Sequence, residues 1–352
     1  MLSKIISRQD LAKLVDALAN DYLVIAPTYE KKVPTFSEVE SSAEVEFDIL
    51  FNEKLPMLPP KKVFLPAKQT VFKYSLTKGV TDTCGDVSEA AYEHKNIVIF
   101  GASPCDVTGI GVIERIFRDN YSDDVFLQIR DKTTIISMNC LDHCYENCFC
   151  ETMSSNDPKS GFDIMLTEIS KSKLIAVPNS DKGKKILREY PEIFTQVSEK
   201  DFEAYTDALN LKNKNFKTEF PVEGLASHVE DSFESKVWEE FTQKCLFCGS
   251  CTFVCPTCYC YNVKDKVEVN LQEGERQREW DSCYFPEFAL VAGDHNFREK
   301  KEQRFRYRYL HKFVDLPRRY NFEGCVGCGR CVTYCPANID VRDVLKKVRG
   351  VM

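Results

Sequence analysis

The sequence predicts an α/β N-terminal domain over residues 1–224 and a separate, mainly helical C-terminal domain over residues 225–352. Two observations carry this division. Short apolar strands alternate with amphipathic helices through the first part of the chain, the pattern of a sheet that is at least partly parallel. Towards the other end, one cysteine pattern occurs twice, starting at Cys245 and again at Cys325.

Taken in order, residues 3–20 place Ile5, Leu11, Leu14, Val15 and Leu18 at helical spacing, with cap-type residues around Ser7 and Asp10. Strand candidates are YLVIAP (22–27), VFLP (63–66), TVFKYSL (70–76), NIVIFG (96–101), TTIISMNC (133–140), FDIMLTEI (162–169) and KLIAVP (173–178). Between them, VTGIGVIERIFRDN (107–120) and KGKKILREYPEIF (182–194) read as helices. NIVIFGASPCDVTGIGVIERIF has the strand, loop and helix of a nucleotide-binding unit, but Gly101, Gly109 and Gly111 do not spell GxGxxG. Residues 200–224 are polar and read as a linker. Leu225, Val229, Phe233, Val237, Trp238 and Phe241 then make one apolar stripe, a helix running into the first cysteine run. ERQREW and EKKEQRFRYRYLHKF, between the two runs, also read as helical.

Seventeen cysteines in 352 residues need a reason other than bulk stability, since a chain of this length can bury cores without disulfides. The start, MLSKIISRQDLAKL, has no uninterrupted apolar segment of the export type, and no apolar run approaches the roughly 18 residues of a membrane span. The protein therefore reads as cytoplasmic, where cysteines more often serve metals or redox chemistry. Charge is uneven: from His295 to Met352 there are 14 Lys and Arg against 6 Asp and Glu, so that segment is +8 of a total of −7 and the rest is −15. This balance argues against general nucleic-acid binding. It leaves either a solvated helical face or a docking surface for an acidic partner.

Cys245-x2-Cys248-x2-Cys251-x3-Cys255-Pro256 and Cys325-x2-Cys328-x2-Cys331-x3-Cys335-Pro336 follow the run of bacterial [4Fe–4S] proteins. Thiolates at this spacing let a tight loop wrap three corners of a cubane. Gly249 and Gly329 suit positions where a β-carbon is crowded or φ is positive, and the closing proline redirects the chain. Zinc is the rival ligand set, but zinc sites rarely use three equally spaced cysteines followed by Cys-Pro. In two-cluster ferredoxins the fourth cysteine crosses over. The expected sets are therefore Cys245, Cys248, Cys251 and Cys335 for one cluster, and Cys325, Cys328, Cys331 and Cys255 for the other. The 69 residues between Cys255 and Cys325 exceed a compact ferredoxin hairpin, so a helical ferredoxin-like domain is expected.

Nine cysteines remain. Cys258, Cys260 and Cys283 read as packed thiols near the first run. Cys105, Cys140, Cys144, Cys148 and Cys150 lie at ends of predicted strands, and Cys105, Cys140, Cys148 and Cys150 are the candidate ligands of a third [4Fe–4S] cluster. Cys84 has no assignment. His295 and His311 read as structural hydrogen-bonders. Arg298, Arg304, Arg306, Arg308, Arg318 and Arg319 either stabilise the negative charge of a thiolate-bound cluster or form a solvated helix. No catalytic triad, HExxH, P-loop or flavin fingerprint is visible, so no catalytic residue is assigned.

KCLFCGSCTFVCPTCYCYNV, REWDSCYFPEFALVAGDHNFREKKEQRFRYRYLHKF and GCVGCGRCVTYCP resemble the 4Fe–4S dicluster iron–sulfur subunit shared by sulfhydrogenases, where it is the beta subunit, and anaerobic sulfite reductase. FGASPCD, CFCETM and GFDIMLTE extend the resemblance less specifically over the first domain. It implies an electron-transfer subunit lying between an NAD(P)H-oxidising, FAD-binding flavoprotein with a [2Fe–2S] centre and a catalytic subunit carrying NiFe or sirohaem. The alternative is a catalytic subunit with its own flavin or nucleotide site in the α/β domain.

Overall fold

The computed structural model describes residues 3–51, 55–83, 96–119 and 121–350. The chain divides into two compact units, neither continuous in sequence. The first takes residues up to Phe64, the stretch ending at Glu146, and Ser155–Lys217; the second takes Leu65–Thr83, Asn147–Ser154 and the chain from Thr218 onward.

The first unit is built on an eight-stranded sheet. Its strand order is Thr195–Gln196, Lys4–Ser7, Lys173–Pro178, Ile164–Ser170, Thr133–Met138, Ile97–Ala102, Leu23–Glu30 and Val33–Val39. The four strands from Ile164–Ser170 to Leu23–Glu30 pair in parallel, and the flanking pairs are antiparallel. Ile97–Ala102 and Thr133–Met138 are buried at every position, which is why they read as continuous apolar runs instead of alternating ones. Helix Pro104–Arg118 follows the first of these; Ser103 Oγ caps it by accepting from Asp106 N, and Pro104 supplies a preset φ at its first position. The core gathers Ile6, Leu14, Leu18, Val98, Phe100, Ile136 and Leu166.

Three local expectations change in this unit. The expected helix over 3–20 is a strand, Lys4–Ser7, followed by helix Asp10–Asp21, because Ile5 pairs opposite Ile175 in the sheet and is buried there. VFLP is not a strand: Lys61–Phe64 is helical, started by Pro59 and Pro60, whose carbonyls accept from Lys62 N and Val63 N. The expected linker contains helix Glu199–Asn215, whose Ser198 and Asp201 form a reciprocal capping box.

The second unit has helices and a sheet. Strands Tyr261–Val267, Glu273–Trp280, Lys68–Ser75 and Gly79–Thr83 form an antiparallel sheet in that order. ERQREW thus lies in a strand, not a helix; its charges pair across the sheet, with the Arg276 guanidinium donating to both Asp265 carboxylate oxygens at 2.7 and 2.8 Å. The apolar stripe from Leu225 becomes two helices, Leu225–Asp231 and Val237–Lys244, and the Trp238 indole donates to the Ser232 carbonyl (2.7 Å) at the break between them. Helix Lys301–Leu310 continues through a π-helical turn, His311–Asp315, into Leu316–Tyr320. Trp238, Phe241, Phe305, Tyr309 and Phe313 fill the core of this unit, with Phe241 and Phe305 stacked 6.3 Å apart.

The second unit therefore includes more than the expected 225–352. It recruits Leu65–Thr83 because Lys68–Ser75 pairs with Glu273–Trp280, and Asn147–Ser154 because Phe149 N donates to Gly327 O (2.7 Å). Among the described residues no helix is long and apolar enough to cross a membrane.

Candidate metal centre

The two cysteine runs fold into conformational copies. Helix Val237–Lys244 ends at Cys245, after which Phe247 and Gly249 both take positive φ, 54° and 76°, before a four-residue helix, Ser250–Phe253. In the second run Gly327 and Gly329 take φ of 62° and 74° before helix Arg330–Thr333. The result is the same amide-to-thiol contact twice: Phe247 N donates to Cys245 Sγ and Gly327 N to Cys325 Sγ, each at 3.4 Å. Ile339 N donates to Cys335 Sγ at 3.3 Å. Backbone N–H groups turned toward sulfur suit thiolate ligands, whose charge they stabilise.

The runs also meet. Ser250 Oγ donates to the Tyr334 carbonyl at 3.1 Å, tying the first short helix to the end of the second. One cavity is lined by Cys245, Cys248 and Cys251 of the first run together with Cys335 and Cys331 of the second; Tyr284, Phe305 and Tyr309 form an aromatic wall. Cys335 and Cys248 lie close enough to Cys245 for their charges to raise its thiol pKa, although burial is the main cause. Cys255 acts in the same way on Cys325, Cys328 and Cys331. Burial pushes the Cys251 and Cys325 thiols up to about 12, opposed by Arg308 beside the first and Lys312 beside the second. Metal coordination deprotonates such thiols outright.

Buried cations complete the surroundings. Arg308 and Lys312 are 5% and 3% exposed, and Arg330 is fully buried. Lys312 Nζ donates to Thr257 Oγ1 (2.7 Å) and Gly324 O (3.0 Å), both neutral. A buried cation is costly without an opposing charge, and thiolate-bound clusters carry net negative charge; the donor set and the buried cations thus fit iron–sulfur clusters.

The sequence singled out six arginines; of these Arg308 faces the cysteines. Arg304 is buried but donates to the carbonyls of Tyr284 and Arg298, both at 3.0 Å, Arg318 pairs with Glu230, Arg306 reaches the Phe233 carbonyl, and Arg298 lies over the Tyr307 ring. Lys312 and Arg330 were not signalled by the arginine clustering. Their sign in the sequence is position: Lys312 is one helical turn beyond Arg308, and Arg330 sits inside the second run. His295 is exposed; His311 is half-buried beside Tyr259 OH (3.2 Å), and burial, then Lys312, pushes its pKa down to about 4.

The other cysteines divide between the units. In the first, Cys105 opens helix Pro104–Arg118 with its Sγ 3.2 Å from Ser103 Oγ, and Cys140 and Cys144 hold their sulfurs 3.4 Å apart. Cys148 and Cys150 belong to the second, where Cys148 Sγ donates to Cys328 O at 3.3 Å. The four candidate ligands of a third cluster are thus split two and two. Cys84 lies outside the described residues. Cys258, Cys260 and Cys283 line a cavity of their own with His311 and Lys312.

Residues 244–339 match the family described as a 4Fe–4S dicluster domain. Over 327 residues the chain is 37% identical to Sulfhydrogenase 2 subunit beta of Pyrococcus furiosus, an alignment covering 93% of this chain and 92% of that one. No solved structure matches it. The resemblance carried by the cysteine motifs and the segments between them is borne out.

Proposed function

From the chain's membership of the sulfhydrogenase beta-subunit family, with its 4Fe–4S dicluster domain, we propose that it is an electron-transfer subunit of a multi-subunit oxidoreductase. In this reading it relays electrons between a flavoprotein that oxidises NAD(P)H, bearing FAD and a [2Fe–2S] centre, and a catalytic subunit with NiFe or sirohaem, in the cytoplasm and apart from membrane and nucleic acid. Two [4Fe–4S] clusters are assigned, one to Cys245, Cys248, Cys251 and Cys335, the other to Cys325, Cys328, Cys331 and Cys255. The observation that supports this crossed assignment is the cavity that collects three cysteines of the first run and the last of the second, with Cys331 also on its wall.

Bound clusters would supply one-electron chemistry. The chain's own part is to hold and tune them. The amides of Phe247, Gly327 and Ile339 point at ligand sulfurs, Arg308 and Lys312 provide opposing charge, and Tyr284, Phe305 and Tyr309 wall the inner side of the first cysteine set, whose Cys248 is exposed. Cys335→Ser tests the assignment: the EPR signal of the cluster held by Cys245, Cys248 and Cys251 is expected to change. Loss of the other cluster's signal alone would refute crossed ligation.

A second reading, a subunit with its own flavin or nucleotide site, is favoured by a cavity in the α/β unit lined by Gly101, Ser103, Met138 and Asn139. These residues lie at the carboxyl ends of two parallel strands, where open α/β sheets bind ligands. Purified chain that oxidises NAD(P)H with a dye acceptor, without partners, would support this reading and overturn the relay.

A further inference from the structure

Three cysteines outside the two runs share one cavity. Cys258 and Cys260 follow the first run directly, Cys283 lies just beyond strand Glu273–Trp280, and all three line a space also bordered by His311, Lys312 and Arg308. The thiols of Cys260 and Cys283 are hydrogen-bonded to each other, and that of Cys258 to Cys255. Hydrogen bonds fix the segments side by side: Asp281 N donates to Cys260 O (3.0 Å), and the hydroxyls of Thr252 and Ser282 lie 3.0 Å apart.

Packed structural thiols call for an apolar wall. This wall is largely aromatic, with Tyr259, Phe288 and Tyr307, but it also carries two buried cations. Arg308 borders both this cavity and that of Cys245, Cys248 and Cys251; one of its N–H groups is bonded to Cys331, while its buried Nε has no hydrogen-bond partner. A buried donor of that kind is costly unless an acceptor meets it, and inorganic sulfide is such an acceptor. Among the described residues no three His, Cys, Asp or Glu side chains converge at the distances of a single metal ion. A cubane places each ligand on a separate iron, so the paired Cys260 and Cys283 thiols would part around it on binding.

We propose that Cys258, Cys260 and Cys283 ligate a third iron–sulfur cluster of the cubane class, with His311 closing the site. The assignment rests on the relay reading and deepens it. Cys258 is hydrogen-bonded to Cys255, a ligand assigned to the second cluster, so the third is a further one-electron station next to it. It also moves the third cluster away from Cys105, Cys140, Cys148 and Cys150.

The test is iron, acid-labile sulfide and zinc content of the full chain isolated anaerobically, with Mössbauer spectra. Wild type is expected to hold about twelve irons, and Cys260→Ser/Cys283→Ser about eight with the signals of the other two clusters retained. Cys140→Ser is expected to keep all twelve. Wild type at about eight, which needs no variant to interpret, overturns the proposal, as does a double variant that keeps wild-type iron or a site filled by one zinc. Wild type without iron would instead bring down the dicluster reading as a whole.

Discussion

At the scale of single residues the two cysteine loops depend on backbone positions as much as on sulfur. A Cβ at Gly327 would lie 2.4 Å from the Phe149 carbonyl oxygen, with φ already at +62°. Gly327→Ala is therefore expected to abolish most cluster loading, read as lost visible absorbance and iron. Gly111 is the contrast: it lies inside a helix with nothing within 4 Å of an added Cβ, so Gly111→Ala should stabilise the fold by about 0.5–1 kcal/mol, measured by urea unfolding. Gly249 and Gly329 were legible as special positions because glycine marks them. Phe247 was not, since nothing in its side chain announces a left-handed backbone; only superposing the two runs, which aligns it with Gly327, would have found it. Charge shows the same limit. Clustered arginines drew attention, yet Lys312 lies beside Cys255 and Cys325. Lys312→Met is expected to make the potential of the cluster held by Cys325, Cys328, Cys331 and Cys255 more negative by on the order of 50 mV, which corresponds to about 1 kcal/mol for a one-electron couple, by EPR-monitored titration.

Among the elements, helix Glu199–Asn215 shows what local sequence hides. Its sides are polar, so periodicity suggested a linker, and the remaining signal was the cap Ser198-x-x-Asp201. Hydrogen bonds from Ser198, then Lys173, hold the Asp201 carboxyl down to about 2, below its usual 3.8. A depressed carboxylate contributes stability that is complete above its unfolded pKa and is lost as pH falls through the folded one. Asp201→Asn is thus expected to cost about 1 kcal/mol at pH 7 and progressively less between pH 4 and pH 2, when wild type and variant are compared by denaturant unfolding. Strand Glu273–Trp280 misled in the opposite way. Its charges look like a solvated helix face, but they are satisfied by cross-strand partners whose positions no local window contains.

For the whole molecule, the α/β class and the dicluster runs were readable because each is written in local pattern. The composition of the second unit was not, because it depends on pairings such as Thr70 with Glu275, 205 residues apart. A fragment of residues 225–352 lacks strand Lys68–Ser75 and the segment Asn147–Ser154 that packs on Gly327 and Gly329. That fragment is expected to be aggregation-prone and poor in iron compared with the full chain; a soluble fragment with full iron and an unchanged melting temperature would show that the recruited segments are dispensable. The same discontinuity sets an order of events during synthesis. The chain passes between the two units five times, and strand Lys68–Ser75 leaves the ribosome some 205 residues before its partner. At about 5–20 residues per second it waits roughly 10–40 s with an open edge. The two runs, and Cys335 last among their cysteines, emerge after it, so a complete set of cluster ligands exists only after Lys68–Ser75 and Asn147–Ser154 have waited for the segments they pack on.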